Sequence, residues 1–257
     1  ALSRLVSQAE ALGWVNRRRR TVSVAFWLFL LLGAVSSGVM FFLAGDLAGT
    51  TGWLLPERAL WWPEGAMLCL ADLHLGKAAT FRARGLPVPA GTTQGNLARL
   101  AQLLARHSGV QRLVVLGDFL HAAEAHAPAL LRALAAWRED HAALELVLVR
   151  GNHDRHAGDP PAWLGACIVD EPWSQGPFAC CHHPQHRAGQ WVLAGHLHPT
   201  AVLYGGGRDA LRMPCFVAEP GLLVLPAFGE FTGGHAVPAA PGRQRFAVGA
   251  GRVWALP

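Results

Sequence analysis

Short apolar runs that stop abruptly at polar residues recur along this chain, and what separates them changes in kind part-way. Ala66 to Ala71, Leu113 to Leu116 and, with Glu145 inside it, Leu144 to Val149 are apolar runs of strand length. Thr92 or Thr93 is placed to cap a helix reaching His107, with Leu97, Leu100 and Leu104 on one face and Gly109 just past its end. Pro128 suits the first turn of a second helix, whose stripe is Leu130, Leu131, Leu134 and Trp137 and which ends near Asp140. Ahead of both, Leu54-Leu55 and Ala59 to Trp62 predict a hairpin around Pro56-Glu57-Arg58. After the loop that opens at Asn152 the helical periodicity disappears. Strands are predicted at Cys167 to Val169, Pro177 to Cys181, Trp191 to Ala194, Leu211 to Val217, Leu222 to Leu225 and Phe246 to Trp254, with Gly and Pro clusters between them. An α/β first half and a β-rich second half in one domain predict two packed sheets flanked by helices, with the polar strand ends on one edge.

Residues 1 to 45 break this pattern. Arg17 to Arg20 precede an uncharged stretch from Thr21 to Gly45, long enough to cross a bilayer at about 20 residues per span. Two readings stand. In one, this is a single-pass anchor with its arginines in the cytoplasm, or a twin-arginine type of export signal. In the other it is a non-native extension, since position 1 is not Met and recognisable domain sequence begins near Trp53. The expected division is therefore 1–45 and a domain at 46–257.

Composition changes the picture in two places. The isoelectric point of 9.4 suggests a nucleic-acid binder, but residues 1–50 hold five of the 22 basic residues and only two of the 17 acidic ones. The remainder carries 17 basic against 15 acidic residues and is nearly neutral, so any nucleic acid must be held by a local patch and not by global charge. The five cysteines, at 69, 167, 180, 181 and 215, form an odd set with no CxxC spacing. A disulfide framework is thereby disfavoured, and Cys180 and Cys181 read as buried neighbours on opposite faces of a strand in a reducing compartment. Export fits that poorly.

What the apolar runs release at their ends is chemically narrow. Asp72-Leu73-His74 follows the first run and Gly117-Asp118 through His121 the second. Gly151-Asn152-His153-Asp154 follows the third, and Gly195-His196-Leu197-His198 the run ending at Ala194. His182 and His183 close another strand just before Pro184. Two carboxylates, an amide oxygen and at least four imidazoles make a mixed oxygen and nitrogen set, suited to Mn, Fe or Zn more than to Ca or Mg alone. The number fits two cations. Each residue alone has an ordinary alternative, a turn asparagine or a core histidine, but the coincidence over five strand ends favours one shared site.

These motifs, in this order, resemble those of the calcineurin-like metallophosphoesterases over roughly residues 53 to 234. Within that superfamily, three stretches resemble the ligase-associated DNA damage response endonucleases. They are Asp72-Leu73-His74-Leu75-Gly76-Lys77, Gly195-His196-Leu197-His198-Pro199, and the tail Leu225-Pro226-Ala227-Phe228-Gly229 with Phe231-Thr232-Gly233-Gly234. The resemblance implies a four-layer αββα sandwich with a site for two divalent metal ions at the C-terminal edge of the strands. It implies Asp72, His74 and His198 for one ion and Asn152, His182 and His196 for the other, with Asp118 bridging them. A hydroxide shared by the two ions would attack phosphorus while His153, oriented by Asp154, protonates the leaving oxygen. His121 stands where many relatives carry Asp, and is expected to support a ligand, touch the substrate, or simply begin a helix near the surface. Lys77, Arg82 and Arg84 are candidate phosphate contacts, with a solvated loop as the alternative.

The leading expectation is thus a Mn-dependent phosphodiesterase that cuts DNA in the cytoplasm, with a DNA ligase, helicase and exonuclease as pathway partners. Phosphoesterase activity on nucleotides or membrane phospholipid headgroups is the rival, and membrane contact enters only if residues 21–45 are a genuine anchor. A non-catalytic metal-binding scaffold in a repair complex is the third reading.

Overall fold

The computed structural model describes residues 51–88, 91–205 and 209–257. The apolar stretch at 21–45 lies outside them. Among the described residues no helix is long and apolar enough to cross a membrane.

Six strands form the first sheet in chain order: β1 (Trp53–Leu55), β2 (Ala59–Trp62), β3 (Met67–Leu70), β4 (Arg112–Leu116), β5 (Glu145–Val149) and β6 (Ala166–Val169). The first two pairs are antiparallel, as a hairpin and its return require, and β3 to β6 are parallel. The parallel connections carry helices. α1 (Lys77–Ala83) and α2 (Thr92–Arg106) lie between β3 and β4, α3 (Pro128–Asp140) between β4 and β5, and the short α4 (Asn152–Ala157) between β5 and β6. Leu97, Leu100, Leu103 and Leu104 of α2 and Leu130, Leu134 and Trp137 of α3 pack on Leu68, Leu70, Leu113, Val115, Leu146 and Leu148. Alternate residues of the same strands point the other way, so the runs are apolar throughout because both faces are covered.

Nine strands among the described residues make the second sheet: β7 (Trp173–Gln175), β8 (Phe178–Cys180), β9 (Trp191–Ala194), β10 (Pro199–Tyr204), β11 (Ala210–Glu219), β12 (Leu222–Val224), β13 (His235–Ala236), β14 (Gln244–Gly249) and β15 (Arg252–Leu256). Their order is β13-β10-β11-β12-β9-β8-β7, with β14 joining β11 to β15. Phe178, Leu193, Phe216, Leu223 and Phe246 meet Met67, Cys69, Val114, Leu116, Val147 and Val149 in the core between the sheets. Cys180 faces this core and Cys181 the opposite side, where it joins Val192, Ala194, Val217 and Val224. That outer face is covered in part by Val237 and Leu256, and no helix covers it among the described residues.

Several local expectations change. Thr92 begins α2 instead of capping it, because Gly91 with φ 85° takes the cap position. Residues 77–83, for which no helix is predicted and a solvated loop is the alternative, are helical, and Asn152 to Asp154 open the first turn of α4. The Phe246-to-Trp254 run is two strands, folded back at Ala250-Gly251, both at positive φ.

Candidate metal centre

Five strand ends converge at one edge. Parallel neighbours β3, β4 and β5 release Asp72, Asp118 and Asn152 there, and parallel neighbours β8 and β9 of the facing sheet release His182, His196 and His198. In parallel sheets the loops beyond the strand C-termini are where ligands bind.

The backbone at this edge is unusual. Asp72, His74, Asp118, His196 and His198 all have positive φ, between 45° and 68°. Each such residue costs about 1–2 kcal/mol relative to a right-handed one, and Asp, Asn and His tolerate the region better than most. The turns bring Asp72 with His74 and His196 with His198 to one edge, while Leu73 between the first pair goes to the core and Leu197 between the second to the surface. Glycines supply the room. A Cβ at Gly195 would lie 2.7 Å from the Ala71 Cβ and 2.8 Å from Asp72 Oδ2, and one at Gly151 would overlap the Asp118 carboxylate.

Ligand-type atoms gather in two sets. In the first, His74 Nε2 lies 3.3 Å from His198 Nε2 and 3.6 Å from Asp118 Oδ2, and His198 Nε2 is 3.6 Å from Asp72 Oδ1. In the second, Asn152 Oδ1 lies 2.8 Å from His182 Nε2 and 3.1 Å from His196 Nδ1. Asp118 faces both, its Oδ1 being 3.6 Å from His182 Nε2.

The protons on these rings can be assigned from their outer bonds. His198 Nδ1–H donates to the Thr232 carbonyl at 3.0 Å and His182 Nδ1–H to the Leu116 carbonyl at 3.1 Å. Since a carbonyl can only accept, the inward Nε2 of each neutral ring carries a lone pair and no proton. The bare His182 nitrogen therefore faces the Asn152 amide oxygen, acceptor against acceptor. Two acceptors this close fit a cation between them. The residues thus suit the divalent ions that the donor set implies.

Electrostatics agree with a site that needs positive charge. Burial raises the Asp118 carboxyl above its usual range, with Asp72 adding to it against the opposing pull of His182. Burial, reinforced by Lys77 and the surrounding rings, drives His74 far below the usual imidazole value. His196 is lowered by burial and then by His182. His198 rises despite burial, through the nearby Asp72 carboxylate, which favours its protonated form.

The remaining expected residues divide. His121 stacks on His153 with ring centres 4.6 Å apart, and its Nδ1 lies 3.3 Å from His74 Nδ1. Burial and Lys77 lower it to about 4. His153 Nδ1–H donates to the His121 carbonyl at 2.9 Å. Asp154 is not that ring's partner: its buried carboxylate accepts the Leu120 N–H at 3.0 Å and the Gly151 N–H at 2.9 Å, tying α4 to the loop after β4. The expected orienting role of Asp154 is therefore corrected. Lys77 opens α1 within the field of Asp72 and Asp118, while Arg82 and Arg84 are exposed at the far end of that helix. Glu171 was not foreseen. It accepts the N–H groups of His182 and His183 at 2.7 and 2.8 Å and the His183 ring at 2.6 Å.

The calcineurin-like phosphoesterase family model matches residues 66–213, more than half the chain and every expected cation ligand. This chain belongs to that family. The structure of the Pseudomonas putida nuclease MPE is similar to it at 48% sequence identity and a TM-score of 0.72, over 81% of this chain and 96% of that one. A phosphoesterase from E. coli, Yfce, matches over 73% of this chain and 95% of its own, at 16% identity and a TM-score of 0.37, too distant to carry an argument. Among curated protein sequences none matches. The family and the site make the chain a metal-dependent phosphoester hydrolase, with divalent ions suggested by the His and Asp cluster.

Proposed function

We propose that this chain is a two-cation phosphodiesterase that cuts DNA. The observation that carries the reading is Asp118, whose two carboxylate oxygens face the two ligand sets separately, Oδ2 toward His74 and Oδ1 toward His182. In this reading Asp72, His74 and His198 hold one ion, Asn152, His182 and His196 the other, and Asp118 both. The mixed donors suit Mn, with Fe or Zn as alternatives. When bound, two such ions clamp the phosphate and make a water acidic enough to attack near neutral pH.

The chain's own groups do the rest. His153 is anchored through Nδ1 to the His121 carbonyl, which leaves Nε2 as the reactive end. As an imidazolium it carries the proton that the departing sugar oxygen takes. His121 backs His74 and fixes the plane of the His153 ring by stacking. Lys77 meets the phosphate beside the carboxylates, and the exposed Arg82 and Arg84 contact flanking phosphates.

DNA is favoured because the 48%-identical neighbour is a nuclease, and the tail Leu225 to Gly234 supports a ligase-associated repair pathway, with a ligase, helicase and exonuclease as partners in the cytoplasm. Incubating the purified chain and Mn with bis-p-nitrophenyl phosphate and with single-stranded, nicked and duplex DNA tests this. Hydrolysis of the small diester with every DNA untouched would sink the nuclease assignment. Failure on all of them with Mn, Fe and Zn would remove the phosphodiesterase.

A further inference from the structure

One loop, from Leu225 to Gly234, grips the first ligand set and not the second. Phe228 N–H donates to the Ala71 carbonyl at 2.8 Å and Gly229 N–H to the Asp72 carbonyl at 3.1 Å, extending an isolated bridge between Ala71 and Ala227. Thr232 then offers the carbonyl that holds the His198 ring, and just past the loop His235 N–H donates to the His198 carbonyl at 3.0 Å. Among the described residues no hydrogen bond from this loop reaches Asn152, His182 or His196.

The loop is pinned from behind by two arginines on separate elements. Arg58, in the β1–β2 turn, donates Nη1 to the Ala227 carbonyl at 3.3 Å, and Arg99, on α2, donates Nη2 to the Phe228 carbonyl at 2.9 Å. The Arg99 guanidinium also lies 4.2 Å from the centre of the Phe228 ring. Both arginines are half-buried beside each other, and burial lowers the pKa of each, with Glu230 as the counter-charge. Two neighbouring guanidiniums spent on backbone carbonyls are a costly way to hold a loop that apolar packing would hold more cheaply. What guanidinium forks add is geometric fixity. The residues immediately upstream of Asp72 and those bonded to His198 are what that fixity serves.

We propose that Arg58 and Arg99 are positioning residues for the cation held by Asp72, His74 and His198, acting through the loop at Leu225 to Gly234. The proposal rests on the two-cation reading of the site. Loosening the loop frees the His198 ring from Thr232 and the Asp72 backbone from Gly229, and groups that orient ligands in this way are commonly worth ~10- to 100-fold in metal affinity.

Calorimetric titration of the full chain with Mn alone tests it. The wild-type protein should bind in two steps. Arg58→Met and Arg99→Met should each weaken one step by ~10- to 100-fold and leave the other in place. Gly229→Ala reaches the same loop from the other side, because a Cβ there would overlap the Leu73 carbonyl and lie 3.0 Å from that of Asp72. It should reproduce the one-step loss with both arginines intact, and an unchanged titration there would show that the loop does not serve this cation. Unchanged binding in the folded variants, or equal weakening of both steps, would overturn the proposal, the second because it marks general softening. A wild-type protein that binds no Mn would overturn the two-cation reading and this inference together.

Discussion

The His182 ring occupies the space that a side chain at position 117 would need: a Cβ on Gly117 would overlap Nδ1 of that imidazole. The glycine at the end of β4 is thus sized by a histidine just past the end of β8, in the other sheet. Gly151 is sized in the same way by Asp118, and Gly195 by Asp72. No strand end is built for its own residue.

Gly117→Ala should therefore act as a cation-site change. Its φ of 81° costs alanine about 1–2 kcal/mol and the overlap with His182 about 1–3 kcal/mol more. Mn affinity should fall as the ring is displaced. Gly242→Ala is the control, with φ 75° and nothing within 4 Å: it should lose only the backbone cost and bind Mn normally. Thermal melts and Mn titrations of both proteins check the pair, and matching behaviour would refute the interlock.

His153→Ala should keep its cations and lose DNA cleavage. A positioned general acid contributes ~100- to 10,000-fold, and a sugar alkoxide needs that proton far more than p-nitrophenolate does. Much of the activity on bis-p-nitrophenyl phosphate should survive. Equal losses on both substrates would take His153 out of the acid role, and a lost cation would make it a ligand.

Glu171→Gln should destabilise the protein in a pH-dependent way. Burial works against this carboxylate, but the His183 ring and the N–H groups of His183 and His182 outweigh it, so its pKa lies below the usual 4.5. A carboxyl depressed on folding contributes stability above its unfolded value and loses it as the pH drops through the folded one. The variant should be less stable by about 1–2 kcal/mol near neutrality, with the gap closing as the pH falls below 4.5. Denaturant melts across that range show it; a gap constant with pH would mean that the charge is not involved.

Residues 46–257 should fold and hydrolyse phosphodiesters on their own. The described elements begin at Trp53, and every proposed ligand follows them. Expression of that fragment and assay on bis-p-nitrophenyl phosphate checks this, and an insoluble product would show that the preceding stretch packs on the domain.

How much of this was legible depended on whether the signal was local. Asp72, Asp118, Asn152 and His196 stand within three residues of the end of an apolar run, and a run that stops at a polar residue is visible in any sequence. Asp154 follows in the same motif, but spacing shows which residues are near and not which atoms bond; its oxygens accept the Leu120 and Gly151 amides. α1 was hidden because only Ala78 and Thr80 of its seven residues are buried, too few to make a stripe. β10, which begins at Pro199, is absent from the predicted strands because a proline opens it. Arg58 and Arg99 act on a segment more than a hundred residues away, and Glu171 acts across the turn into β7 and β8 on His182 and His183; none of the three has a local signal. The tail Leu225 to Gly234 was visible as a resemblance, without a physical task.

The left-handed backbone at Asp72, His74, Asp118, His196 and His198 has a consequence for how such an edge drifts over generations. A position held near φ 50° admits glycine, asparagine, aspartate and histidine far more readily than the rest of the alphabet. Three of those four are donors to cations. Random exchange that the main chain tolerates therefore moves mostly among oxygen and nitrogen donors, so the edge can trade a carboxylate for an imidazole, and with it one ion for another, while the sheets behind it stay as they are.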